Sequence, residues 1–254
     1  MDFDILFRSC SRVAVFSGKP RFINVPKQEL VLRCLNSLIL SIDRAVRSGT
    51  SANIRLTVID DRSDTDCVEK IRQLINHAPV ETAFHTFEGT GNAASLQANY
   101  KFARQHCRGL IYFVEDDYLH DRNAILELIE SDRQLRKQLQ RDIVLFPCDY
   151  PDRYRQPYPA HVLLGSHRHW RTVRQTTGTF LTPHSVLERY WDNYMGFAQY
   201  GVKPGITENN TINLTYREVP CFSPLPSLAV HLQYAHTLSP YVDWQKWWDE
   251  ATIN

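Results

Sequence analysis

The 254-residue sequence contains no apolar run approaching the roughly 20 residues that a membrane-spanning helix requires. Its first residues, Met1-Asp2-Phe3-Asp4, lack the basic start and apolar core of a signal peptide. Both absences point to a cytoplasmic protein without a transmembrane segment. An excess of one charge is also missing: 29 lysines and arginines face 28 aspartates and glutamates. That balance leaves no broad basic footprint for nucleic-acid phosphates and favours a small-molecule substrate. The six cysteines, Cys10, Cys34, Cys67, Cys107, Cys148 and Cys221, include no C-x-x-C pair. This argues against a zinc ribbon or a disulfide framework and for reduced thiols, mostly in the core. With no internal repeat and no low-complexity linker, residues 1–254 read as one catalytic domain, 43% apolar and long enough to bury a substantial core.

What is present is an alternation of strand and helix. Strands are expected at residues 4–9, 54–59, 80–87, 110–114 and 143–146, and helices at about 27–47, along a stretch marked by Val68, Ile71, Leu74 and Ile75, at 93–107 and at about 122–140. The first helix follows Pro26, stops at Gly49, and carries Leu30, Val31, Cys34, Leu35, Leu38, Ile42, Ala45 and Val46 on one face. Such βαβα order implies an α/β fold whose mostly parallel sheet is covered by helices on both faces. The second half is less regular. Residues 149–160 read as a loop, 161–165 and 176–181 as strands of an antiparallel insertion, and 183–194 and 209–216 as helical stretches. The tail at 241–248 holds three of the five tryptophans and reads as a packed closing segment.

In open α/β sheets ligands bind beyond the carboxyl ends of the strands. Two acidic clusters sit there: Asp60-Asp61 after the second strand and Glu115-Asp116-Asp117 after the apolar run Leu110-Ile111-Tyr112-Phe113-Val114. Three consecutive acids repel one another unless a cation or solvent compensates them. Hard divalent ions such as Mn2+ or Mg2+ take carboxylate oxygens together with substrate phosphates. A solvated acidic turn opening a helix is the plain alternative for either cluster alone; the presence of both at one sheet edge favours the cation.

Taken in order, these segments resemble the GT-A glycosyltransferases, particularly the family 2 type, over most of the chain. Leu56-Thr57-Val58-Ile59-Asp60-Asp61-Arg62-Ser63-Asp64-Thr65-Asp66 is similar to their "VVDDGSTD" segment, with Arg62 in place of the usual glycine. Tyr112-Phe113-Val114-Glu115-Asp116-Asp117 resembles their DxD strand end in its EDD form, and Gly91-Asn92-Ala93-Ala94-Ser95-Leu96-Gln97-Ala98-Asn99 the helix start that lies against the donor. The resemblance implies a Rossmann-like GT-A fold with a smaller antiparallel acceptor-side subregion. It divides the chain into a nucleotide-sugar half at 1–147 and an acceptor half at 148–254. It further implies a UDP- or GDP-sugar donor contacted by Arg8, Ser9, Asp60, Asp61, Asn92, Ser95, Asn99, Glu115 and Asp116, with Asp117 as metal ligand. Pro226-Ser227-Leu228-Ala229-Val230-His231 resembles a stretch that carries a second ligand, His231, for which a histidine satisfied at a strand end is an equal alternative.

Inverting transfer needs a carboxylate to deprotonate the acceptor hydroxyl. Glu208 lies about where the family's base-bearing helix begins, and a helix N-terminal cap is its alternative role; Asp149, Asp152 and Asp192 are weaker choices. The segment Ser166-His167-Arg168-His169-Trp170-Arg171 offers phosphate contacts or a solvated basic loop. The residues Thr176-Thr177-Gly178-Thr179 suit a close approach to the donor sugar or a strand with a glycine bend. The acceptor, a glycan or glycolipid, is left open, and with it peripheral membrane association.

Overall fold

The computed structural model describes residues 1–12 and 22–253. β1 (Asp2–Ser9) runs through the middle of the parallel half of the sheet, and Phe3, Ile5, Leu6 and Phe7 are buried on both of its faces. It lies between β2 (Asn53–Asp60) and β4 (Leu110–Glu115), parallel to both, with Ser9 opposite Asp60 and Arg8 opposite Glu115. β3 (Glu81–Thr86) closes that edge beside β2 and is correspondingly more exposed.

Four helices cover this half: α1 (Lys27–Arg47), α2 (Thr65–Asn76), α3 (Gly91–His106) and α4 (Ala124–Leu139). The expected apolar face of α1 is buried except at Val46, which lies 37% exposed at the last turn. Gly49 takes φ +74° just beyond the helix, the left-handed position at which glycine ends helices.

In the second half, β9 (Phe180–Pro183) inserts antiparallel between β4 and the short β6 (Val144–Leu145). β10 (Cys221–Leu225) runs parallel to β6, and β8 (His169–Val173) and β7 (Val162–Leu164) extend the sheet in antiparallel fashion. The result is one nine-stranded mixed sheet in the order β3-β2-β1-β4-β9-β6-β10-β8-β7. A separate ribbon pairs β5 (Tyr118–His120) with β11 (Ala229–His231), setting His231 directly across from Tyr118. The tryptophan-rich tail forms α7 (Trp244–Glu250), which packs on Leu30, Cys34, Leu119, Val230 and Leu232 as a small second core.

Several expectations need correction. Residues 169–173, read within a basic loop, form an internal strand whose Trp170 is fully buried. The expected strand at 176–181 is one only from Phe180. The stretch at 183–194 breaks at Tyr190 into α5 (His184–Arg189) and α6 (Trp191–Phe197), and that at 209–216 consists of 3-10 turns. The sequence pattern does not reveal β5, β8 and β10, while β11 ends at His231 as a histidine at a strand end would have it. No disulfide joins the six cysteines and five of them are buried; burial pushes the Cys34 and Cys148 thiols well above their ordinary value and Cys67 to about 11. Among the described residues no helix is long and apolar enough to cross a membrane.

Candidate active site

Because β2 and β4 flank β1, their acidic tips meet over the end of β1, and a cavity of about 650 Å3 opens there. Of the expected residues, Arg8, Ser9, Asp61, Asn92, Ser95, Glu115, Asp116, Asp117, Glu208 and His231 all line it. Asp60 and Asn99 do not. Asp60 is 1% exposed and faces the turn, where its carboxylate accepts from the Ser9 hydroxyl (2.7 Å) and the Ser63 amide (2.8 Å). Asn99 is buried within α3, its side-chain oxygen without a hydrogen-bond partner.

Asp61 ties the second strand to the third helix. Its carboxylate accepts from the Gly91 amide at 2.9 Å, holding the start of α3, where a negative charge also complements the exposed N–H groups. Arg62 takes φ +51°, the left-handed conformation that glycine adopts most readily.

Each member of the Glu115-Asp116-Asp117 turn faces a different cation or imidazole. Glu115 accepts from Arg8 at 2.5 Å, and the same guanidinium donates to Asn92 (2.7 Å) and Ser95 (2.8 Å), fixing the first turn of α3 to the tip of β1. Burial pushes the Glu115 carboxyl above its ordinary value, against the opposing pull of Arg8. Asp116 accepts from the Cys10 amide (2.7 Å) and pairs with Lys27, the first residue of α1. Asp117 lies 3.3 Å from Nε2 of His231. For His231, burial alone lowers the imidazole pKa, but the charge and hydrogen bond of Asp117 outweigh it and leave a net rise. The loop before β9 clamps the turn from the far side. The Glu115 amide donates to the Thr179 hydroxyl (2.9 Å), and Gly178 lies so close that a Cβ there would run into the Glu115 carboxylate.

Glu208 enters from a 3-10 turn (Glu208–Asn210). The cap of that turn is made by Thr207 and Asn210, so the helix-cap alternative for Glu208 does not apply. Among the described residues its carboxylate has no hydrogen-bond or ion-pair partner, and burial, with Glu115 nearby, pushes its pKa up to about 7.

The segment 166–171 is not part of the cavity, nor are Asp149, Asp152 and Asp192. Arg168 forks onto Glu127 (2.5 and 2.7 Å), His167 meets Glu130 (2.7 Å), and buried Arg171 pairs with buried Asp149, which Tyr154 also engages. These side chains are held in structural pairs. Among the described residues, the lysine and arginine side chains that reach the cavity are those of Arg8 and Lys27. Sequence reasoning missed Lys27, although a lysine opening the helix after the first strand necessarily sits at the carboxyl edge of the sheet. It also missed the cavity-lining aromatics Phe197, Tyr200 and Tyr234.

The donor set fits a divalent cation. Asp117 and His231, 16% and 10% exposed, offer one carboxylate and one imidazole facing the cavity, the number a Mn2+ or Mg2+ site needs when phosphates complete its shell. Among the described residues no three acidic, histidine or cysteine side chains converge as a self-sufficient metal cage.

Neither a scan against protein-family models nor a search of curated proteins gave a match. Solved structures do share the fold. One is TarS 1-349 of S. aureus, 11% identical, covering 88% of this chain and 58% of that one, with a TM-score of 0.52. Another is a UDP-glucose pyrophosphorylase complexed with UDP-glucose, also 11% identical, covering 99% and 97%, with a TM-score of 0.50. This chain thus spans little more than half of the TarS chain it matches. At that identity the likeness establishes the architecture alone: a GT-A-like α/β fold built on a mixed sheet of mostly parallel strands flanked by helices.

Proposed function

We propose that the protein is an inverting, metal-dependent glycosyltransferase. It moves a sugar from a nucleotide-diphosphate-sugar, with a UDP- or GDP-sugar as the donor class, to a hydroxyl of a glycan or glycolipid. The observation that carries this reading is the convergence, in one cavity at the strand tips, of the Asp117–His231 pair and an unpartnered carboxylate, Glu208, whose pKa is pushed up to about 7. The UDP-glucose bound by a protein of the same fold supports the donor class.

In this mechanism residues 1–147 supply the donor side of a single catalytic domain and residues 148–254 the acceptor side. Arg8, Asp61, Asn92 and Ser95 orient the nucleoside end, and Asp116 holds Lys27 beside the leaving diphosphate. Asp117 and His231 would hold Mn2+ or Mg2+, which as a Lewis acid offsets charge developing on that diphosphate. Glu208 takes the proton from the acceptor hydroxyl, the task for which a carboxylate with a pKa near neutrality is suited. The same reading puts the enzyme in the cytoplasm, where six thiols without a disulfide stay reduced.

A second reading, nucleotidyl transfer, is favoured by the near-complete mutual coverage with a pyrophosphorylase. Against it stands the absence of glycine between Arg8 and Arg12, where a phosphate-binding loop would begin. The deciding experiment incubates purified protein with a panel of nucleotide-sugars with and without Mn2+, alongside Asp117→Ala. Glycosyl transfer predicts Mn2+-dependent thermal stabilisation by one donor and release of nucleoside diphosphate, both lost in the folded variant. Stabilisation by no donor, or full turnover in Asp117→Ala, refutes it. Pyrophosphate formed from a nucleoside triphosphate and a sugar 1-phosphate establishes the second reading.

A further inference from the structure

Behind His231, on the side away from Asp117, stands a row of hydroxyl groups. The Tyr150 hydroxyl lies 3.1 Å from Nδ1 of His231 and 3.1 Å from the Tyr118 hydroxyl, which in turn meets the hydroxyl of Thr177 on the cavity wall. The imidazole is held on its face as well: it stacks on Tyr118 with ring centroids 4.5 Å apart and planes 13° apart. The ring therefore has a fixed plane and a partner at each nitrogen.

A neutral imidazole carries one N–H and one lone pair, and the group facing each nitrogen decides which is where. Ionised Asp117 can only accept, so facing it alone Nε2 carries the hydrogen and Nδ1 accepts from Tyr150. To face a cation, Nε2 must present its lone pair and the hydrogen must sit on Nδ1. The partner of Nδ1 must then accept. A backbone carbonyl or carboxylate at that place would lock the second arrangement, and an amide N–H the first. A phenol locks neither, because its hydrogen rotates. When Tyr150 accepts from Nδ1, its own hydrogen turns to Tyr118, whose hydrogen turns to Thr177.

We propose that Tyr150 is a positioning residue that accommodates either neutral tautomer of His231 while holding its ring in place. Its reversible hydrogen bond lets one fixed ring serve Asp117 in the empty site and a divalent cation in the loaded one. The proposal rests on the assignment of Asp117 and His231 as the cation-holding pair.

Tyr150→Phe is the test, since it keeps the ring that packs edge-on against Phe146 (5.3 Å) and removes only the hydroxyl. Mn2+ alone, titrated by electron paramagnetic resonance, should bind about 10- to 100-fold more weakly than to wild type, the usual effect of losing a hydrogen bond behind a metal-binding histidine. In metal-free protein labelled with 15N-histidine, the wild-type His231 should show hydrogen on Nε2 and a hydrogen-bonded Nδ1, and the variant should lose the Nδ1 signature. Tyr118→Phe, which keeps the stacked ring and cuts only the onward donation, should weaken Mn2+ binding in the same direction by a smaller factor. Unchanged Mn2+ affinity together with an unchanged 15N pattern in Tyr150→Phe overturns the proposal. Wild-type protein that binds no Mn2+ overturns the cation assignment itself, a distinct result because it needs no variant.

Discussion

Glu208→Gln should make the protein more stable and nearly inactive, with both effects depending on pH in a way the cavity dictates. The carboxyl is pushed up to about 7 from an ordinary value of 4.5, chiefly by burial. Below pH 4.5 it is neutral in folded and unfolded chains alike, so the substitution changes little there. Between 4.5 and about 7 the folded chain keeps a proton that the unfolded chain has released, so wild-type stability falls as pH rises. Above about 7 the full penalty applies. At about 1.4 kcal/mol per pH unit between the two values it amounts to at most ~3.5 kcal/mol, and partial solvent contact brings it nearer ~2 kcal/mol. Glutamine, uncharged at every pH, escapes it. Urea unfolding of both proteins at pH 5 and pH 8 should therefore show a gain for the variant that is larger at pH 8 by about that amount. In the same pair, wild-type turnover should rise with pH to a plateau, with a midpoint near 7, and the variant should lose about 10²- to 10⁴-fold in kcat with little change in donor affinity. Equal stability differences at the two pH values would sink the burial argument. Retained turnover would sink the assignment of the base.

Two other substitutions probe the frame around the site. Gly178→Ala should drive the Glu115 carboxylate off Arg8, lowering donor affinity at least tenfold and stability by about 1–3 kcal/mol; unchanged donor binding by calorimetry would show that the loop yields. Arg171→Ala should cost about 3 kcal/mol in a denaturation experiment by stranding buried Asp149, with the donor dissociation constant unchanged in the variant where it stays folded. A weakened donor in a fully stable variant would restore Arg171 to the phosphates.

The first half of the fold was legible because its physics is local. β1, β2 and β4 are apolar runs buried on both faces that end abruptly in charge, and α1 advertises its buried stripe at helical spacing. The other half hides its strands. β10 reads Cys-Phe-Ser-Pro-Leu and β8 His-Trp-Arg-Thr-Val, sequences whose burial depends on pairing with each other and, for Arg171, on a salt bridge to Asp149 22 residues away. No periodicity encodes that. Similarly, the acids were found but not their division of labour: Asp60 and Asp61 are adjacent, yet one closes a turn and the other faces the cavity. Tyr150 lay in a stretch readable only as loop, and its partner His231 is 81 positions further on.

The way Glu115, Asp116 and Asp117 are matched to Arg8, Lys27 and His231 affects how ligands enter. A triad of bare carboxylates would act as an indiscriminate trap for any passing cation. With a partner opposite each acid of this triad, an arriving ligand must trade places there with a side chain already docked. Admission becomes an exchange reaction, which rewards molecules that bring both signs of charge together, as a diphosphate travelling with its divalent ion does.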